Sequence, residues 1–175
     1  MKVLLTFLIS FISFNSFSQI STIKEILRVH NSNIVETEDF LLGKGYRMKD
    51  VRNKEYGKEY SFYFGTYPIG GNAIKRILNG KNEVIYTEYC IKYEKDYLAF
   101  KKQLTDNSFE YLNTYEFDRG IKHLYTKDNI VLDIYIAKDI FDDFYYDVRF
   151  VDKKFALTVY GNDVLKKNNR KPVTN

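Results

Sequence analysis

Chemistry-bearing residues are scarce in this chain: one cysteine, two histidines, two prolines and no tryptophan among 175 residues. The single Cys90 excludes an intramolecular disulfide, so the fold must rest on packing. Set in mid-strand with no basic histidine beside it, it reads as a buried packing thiol rather than a nucleophile. His30 and His123 fall in no His-Glu-x-x-His or similar spacing, and zinc would need both plus distant carboxylates. A Gly-x-Ser-x-Gly elbow is missing, and Gly70-Gly71-Asn72 lacks the Gly-Lys-Ser or Gly-Lys-Thr that completes a phosphate cradle. Asp139, Asp142, Asp143 and Asp147 cluster without the Asp-x-Asp-x-Asp-Gly order of a calcium loop and read as a solvated turn that guards against edge pairing. Glu36, Glu38 and Asp39 read as a solvated helix face. Charge is nearly balanced, 27 basic against 23 acidic residues, which gives no argument for nucleic acid. We therefore expect no cofactor, no metal and no nucleic-acid partner.

The first 18 residues have the three-part layout of a cleaved export signal. Lys2 supplies the positive start, an apolar run from Val3 to Ile12 is broken only by Thr6 and Ser10, and Ser16 and Ser18 precede a cut at Gln19. That run is too short for a bilayer span of about 20 residues, and nothing later is long and apolar enough to replace it. No cysteine near the cut supports lipid attachment. Removing 18 residues leaves 157 with a net charge of +3, enough chain to bury roughly 70% of its unfolded surface. Residues 19–165 read as one α+β domain and 166–175, with Lys166, Lys167, Arg170 and Lys171, as a basic disordered tail. The expected location is the periplasm or the exterior.

Aromatic residues are plentiful: 16 Tyr and 14 Phe, four of the latter in the leader. Thr22-Ile-Lys-Glu25 has capping-box spacing and predicts a helix over about 22–30. Asn31-Ser32-Asn33 breaks it and caps a second helix carrying Ile34, Val35, Leu41 and Leu42, which Gly45 ends. Tyr60, Phe62 and Phe64 alternate with Ser61 and Tyr63 in a strand that stops at the turn residues 65–72. Ala73 to Leu78 fits a strand or a short helix; Asn79-Gly80 favours the strand, paired with a long run from Val84 to Tyr93. Lys95 to Thr105 places Tyr97, Phe100 and Leu104 on one helical stripe, and strands Phe109–Phe117 and Ile121–Thr126 flank the Asp118-Arg-Gly120 turn. Residues 129–151 alternate strictly on both sides of a polar turn and predict an antiparallel hairpin. Phe155 to Tyr160 reads as a last strand, with a helix as the alternative.

The fold class expected is α+β: an antiparallel sheet, or two related helix-plus-sheet halves over about 21–93 and 94–160, with the helices on one face. The order of elements resembles, in architecture alone and with no residue carried over, the tandem helix-plus-sheet units of the secreted β-lactamase inhibitor protein. If odd residues of 84–93 and even residues of 130–136 and 144–150 face the helices, the opposite face carries Tyr86, Glu88, Lys92, Asp133, Tyr135, Tyr145, Asp147 and Arg149. Tyrosine and arginine are enriched where proteins bind partners, so this face is the candidate recognition surface for a protein or glycan of the cell envelope. Two other readings compete with it: a hydrolase whose acids Asp133, Asp147 and Glu88 meet in the fold, and a structural part of an envelope assembly. The plainest alternative is a solvated sheet stabilised by cross-strand tyrosine pairs of about 0.2–1 kcal/mol each.

Overall fold

Two capping boxes open the fold. The Thr22 hydroxyl accepts the Glu25 N–H while the Glu25 carboxylate accepts from Thr22, starting helix α1 (Ile23–Asn31). Asn33 and Glu36 repeat the arrangement at α2 (Ile34–Gly43), and Gly45, with φ of 85°, turns the chain out of it. The remaining elements are β1 (Tyr46–Lys54), β2 (Gly57–Phe64), β3 (Ala73–Leu78), β4 (Val84–Ile91), α3 (Glu94–Asp106), β5 (Glu110–Phe117), β6 (Gly120–Lys127), β7 (Ile130–Lys138), β8 (Phe144–Asp152) and α4 (Lys153–Tyr160). This computed structural model describes residues 20–65 and 72–161. The expected export leader, the Gly70-Gly71 pair and the basic tail lie outside them.

The eight strands of the described residues form one antiparallel sheet in the order β1-β2-β3-β4-β8-β7-β6-β5. Each set of four consecutive strands is a meander, and the two meet where β4 pairs with β8. Helices α1, α2 and α3 cover one face, the one to which the alternation in the sequence sends the apolar residues. Ile23, Ile26 and Val29 of α1 and Tyr97, Phe100 and Leu104 of α3 pack onto Tyr89, Ile91, Leu132, Ile134, Tyr146, Val148 and Phe150. Tyr97 stacks on Tyr146 with ring centroids 4.2 Å apart, and Phe150 meets the rings of Phe100 and Phe109 edge-on. Tyr89 fixes the start of the described chain by donating to the Ile20 carbonyl at 2.6 Å. Among the described residues no helix is long and apolar enough to cross a membrane.

Three local expectations need correction. The strand β1 was not expected, because Tyr46-Arg-Met-Lys-Asp-Val-Arg-Asn-Lys54 shows little apolar alternation. As an outermost strand it pairs on one side only, and a bulge between Met48 and Asp50 interrupts its register. Such charges and bulges blunt a sheet edge. The run Val84 to Tyr93 ends as a strand at Ile91, and Tyr93 becomes the residue that precedes α3. Last, Phe155 to Tyr160 is helical, not extended: the Asp152 carboxylate caps the Lys154 N–H, and Ala156, Phe155, Val159 and Tyr160 gather on one side. That helix, α4, sits on the sheet face opposite α1 and α3, over Leu124, Val131 and Val151. The face expected to be open is therefore covered at one end.

Between α1 and α2 the carbonyls of His30, Ser32 and Asn33 point at a buried arginine of β3, Arg76, which donates to all three and to the Thr37 hydroxyl. Beneath it His30 shares a hydrogen bond of 3.1 Å with the Thr87 hydroxyl. Burial keeps His30 neutral. Desolvation, then the Arg76 charge, push its pKa down to about 4, against a smaller opposing pull from Asp152. An unfolded histidine titrates near 6.5, so between those values the folded chain binds fewer protons than the unfolded one. Stability is then complete above about pH 6.5 and is lost as the pH falls toward 4, by about 3 kcal/mol from this residue. Urea unfolding at pH 7 and pH 4 is expected to show His30→Gln losing less stability than the wild type; equal losses would exclude this role.

Candidate functional site on the open sheet face

Pairing register lines up the open face in rows that run across the strands. In one row the opposed residues are Lys75 of β3, Glu88 of β4, Arg149 of β8 and Asp133 of β7. Their charges alternate in sign. The next row is Cys90, Asp147, Tyr135, Lys122 and Tyr115, on β4, β8, β7, β6 and β5. The third holds Tyr145, Ala137, Gly120 and Phe117. Because the side-chain period of a strand is two, residues 75, 88, 133 and 149 share one face, and the pairing register brings them side by side.

Glu88 and Asp133 are buried in the first row. Lys75 donates to one Glu88 oxygen at 2.7 Å and Arg149 to the other at 2.7 and 3.2 Å. Burial alone would raise its pKa, but the charges of Arg149 and Lys75 outweigh that and hold it down at about 2. At Asp147 desolvation and the neighbouring Glu88 push the pKa up, against smaller pulls from the Cys90 thiol, Lys75 and Arg149. Asp133 is also pushed up by burial, against the pull of Lys122, whose ammonium lies 2.9 Å from one carboxylate oxygen. The other oxygen of Asp133 is buried as well. The buried Tyr160 hydroxyl of α4 interacts with Asp133, and burial followed by the Asp133 charge raises its pKa.

Aromatic rings complete the surface. Tyr135 stands at its centre, edge-on to Phe117 and to Tyr145 with both pairs of centroids 5.9 Å apart. It can lie there because residue 120 is glycine: a Cβ at Gly120 would be 2.7 Å from the Tyr135 ring and 2.3 Å from the Ile136 carbonyl oxygen. Lys122 is caged, its ammonium 4.2 Å from the Phe117 ring centre, 5.7 Å from that of Tyr135 and 5.9 Å from that of Tyr160. The Arg149 guanidinium stacks 4.7 Å above Tyr86. Two recesses result, meeting at Asp147. One of about 280 Å³ is lined by Phe117, Lys122, Asp133, Tyr135, Asp147 and Arg149; the other, of about 540 Å³, by Cys90, Tyr93, Phe144, Tyr145 and Asp147 among others.

Of the eight residues expected on this face, Asp133, Tyr135, Asp147 and Arg149 line the smaller recess, while Lys92, Tyr145 and again Asp147 line the larger. Lys92 does so from the connection after β4, not from the strand. Glu88 and Tyr86 lie beneath Arg149, so they support the surface rather than form it. Lys75, Lys122, Phe117 and Tyr160 were missed. Alternation alone would have placed Lys75 and Lys122 on this face had the strand pairing been known, whereas Tyr160 required the helix. Both histidines are elsewhere: His30 is in α1, and His123 pairs with Ile134, whose side chain belongs to the helix-side core. Donor atoms of Glu88, Cys90 and Asp147 lie within 4.8 Å of one another and are the described residues best placed to hold a metal ion. Lys75 and Arg149 already occupy the Glu88 oxygens and would repel a cation there.

Removing one member of a buried ion network leaves the others uncompensated. Glu88→Gln is expected to cost about 3–5 kcal/mol in urea unfolding, and Asp142→Ala, which breaks the exposed pair with Lys138, less than about 1 kcal/mol. Desolvation, followed by Asp147 and Glu88, pushes the Cys90 thiol well up. Iodoacetamide at pH 8 is therefore expected to label native Cys90 at least about tenfold more slowly than the unfolded chain, read by mass spectrometry. Compared with protein-family models, with curated proteins and with solved structures, the chain matches none.

Proposed function

We propose that this is an exported binding protein of the cell envelope or exterior that recognises a protein or glycan with the open face of its sheet. The observation that carries the proposal is the pair of neighbouring recesses that share Asp147 and carry the rings of Phe117, Tyr135, Tyr93, Phe144 and Tyr145, the charged groups around the smaller one being held in place by one another. Rigid aromatic rings offer large contact area at small entropic cost, and fixed ions need no rearrangement on binding. Neither histidine shares this face with the carboxylates, which removes the most common proton-transfer group from it. Both outer strands, β1 and β5, are interrupted by a bulge and so are poorly suited to adding a further strand, which speaks against a role as a structural assembly part.

One observation favours a second reading, an acid-based hydrolase. Glu88 is held low while Asp147 beside it is pushed up, and carboxylates with separated pKa values are the usual division between base and acid. Glu88, however, is buried under two cations and turned away from the recess walls.

Immobilised mature protein is expected to capture envelope material, and the double variant Tyr135→Ser/Tyr145→Ser to lose that capture while unfolding within a few degrees of the wild type. A large fall in melting temperature with unchanged capture would overturn the proposal. Hydrolysis of the captured material, abolished by Asp147→Asn, would replace it with the second reading.

A further inference from the structure

We infer that the ligand is a protein with a basic surface, met at one end of the sheet: the apolar knob of Ile140 and Phe141 enters a depression in that surface, and one of its lysine or arginine side chains enters the larger recess. This rests on the binding role proposed above. Exposure argues first. Ile140 and Phe141, in the β7–β8 turn, are 89% and 77% exposed, more than any other large apolar side chain among the described residues. Phe144 and Tyr93 of the larger recess, and Phe117 and Ile121 beside the β5–β6 turn, are about half exposed at the same end of the sheet. Single exposed apolar residues are ordinary on any surface; several gathered at one end mark a contact.

The turn itself does not call for these two side chains. Its shape is set through the backbone: the Asp139 carboxylate accepts the N–H groups of Phe141 and Asp143 at 2.8 and 3.1 Å, and the Asp142 N–H donates to the Asp139 carbonyl. Residues of any type at 140 and 141 would satisfy it. A knob held in this way is also pre-organised, so little freedom is lost when it is buried against a partner. Tyr145 continues the contact inward, since it lines the larger recess and stands edge-on to Tyr135.

Charge selects the partner. The larger recess lies between the β4–α3 connection and the β7–β8 turn, and Glu94, Asp139, Asp143 and Asp147 line it against Lys92 alone. The other two charges of the turn, Lys138 and Asp142, pair with each other at 2.8 Å. Rings at this end already draw cations of their own chain: the Lys138 ammonium lies 5.3 Å from the centre of Phe144 and that of Lys95 6.0 Å from the centre of Tyr93. A lysine or arginine brought in by a partner meets the same ring faces and an excess of carboxylates. A second copy of this chain would set those acids face to face across a two-fold axis. An anionic membrane surface would be repelled by the acids on both sides of the knob. A glycan offers no hollow to a projecting isoleucine and phenylalanine. A protein with an apolar depression edged by basic residues satisfies both the knob and the recess.

The test uses the whole mature protein and, as a defined probe, a labelled decapeptide of alternating arginine and leucine, with the glutamate–leucine peptide as acidic control, followed by fluorescence anisotropy. The basic peptide is expected to saturate the protein about tenfold more tightly than the acidic one and to weaken about tenfold between low and high salt. Asp143→Lys and the double variant Ile140→Ser/Phe141→Ser should each weaken it about tenfold and melt near the wild type, because all three side chains are exposed. No saturation up to about 1 mM, a preference for the acidic peptide, or binding indifferent to both variants would overturn the inference. Proteins captured from envelope extract are then identified, purified and titrated by calorimetry. A basic partner is expected, bound about tenfold more weakly by the knob variant. Self-association of this chain that the knob variant abolishes would put a second copy in the partner's place and overturn the inference. If capture depends on Tyr135 and Tyr145 but is indifferent to the knob variant, or survives protease treatment of the extract, the inference fails and the binding role stands. If no such capture exists, both fail.

Discussion

A single buried carboxylate, Glu88, ties together the two halves of the sheet on its open side. It stands on β4, receives Lys75 from β3 within its own meander and Arg149 from β8 across the junction. Taking a carboxylate out of water is unfavourable unless its oxygens are fully engaged, and here both are. The same contacts fix Arg149 over Tyr86 and leave its remaining edge facing the recess. Asp133 and Lys122 continue the alternation of sign toward β6, so the charged groups of the face form one connected array. An array of this kind is rigid because every displacement of one ion costs the next its partner.

The two sides of the sheet do different work. On the helix side nearly every inward position is apolar and fully buried, from Ile74 through Tyr89 and Leu132 to Phe150. Stability comes mainly from there, by removal of apolar area from water. The other side has no comparable apolar layer except under α4, where Leu124, Val131, Val151 and Ala156 make a small second core. Beyond that helix the side chains are aromatic and ionic, half-buried and mutually supported. Tyr135, Asp147 and Arg149 of this side stand on inner strands, β7 and β8, whose backbone is hydrogen-bonded on both sides and therefore firm.

Much of this arrangement was legible in the residues. The alternation at 130–136 and 144–150 assigned each side chain to a face correctly, and Asn79-Gly80 and the two capping motifs marked real turns and helix starts. What escaped had physical causes. The strand β1 is polar because an outer strand need not bury both faces, so its periodicity is faint. Phe155, Val159 and Tyr160 satisfy period two and period 3.6 about equally over so short a stretch, and only docking onto Val131 and Val151 chose the helix. Lys75 and Lys122 could not be assigned to the site because strand order is not written in local pattern.

What the sequence by itself determined is the parity of each strand: which residues face the helices, and that tyrosine and charge face away from them. Period-two geometry makes that a local property, settled by neighbours along the chain. Only the tertiary structure decided that β4 pairs with β8 and that α4 covers one end of the open face, and hence that Lys75, Glu88, Arg149, Asp133 and Lys122 form one array beside Tyr135. Those are contacts between residues far apart in sequence, fixed by which apolar surfaces fit together in space.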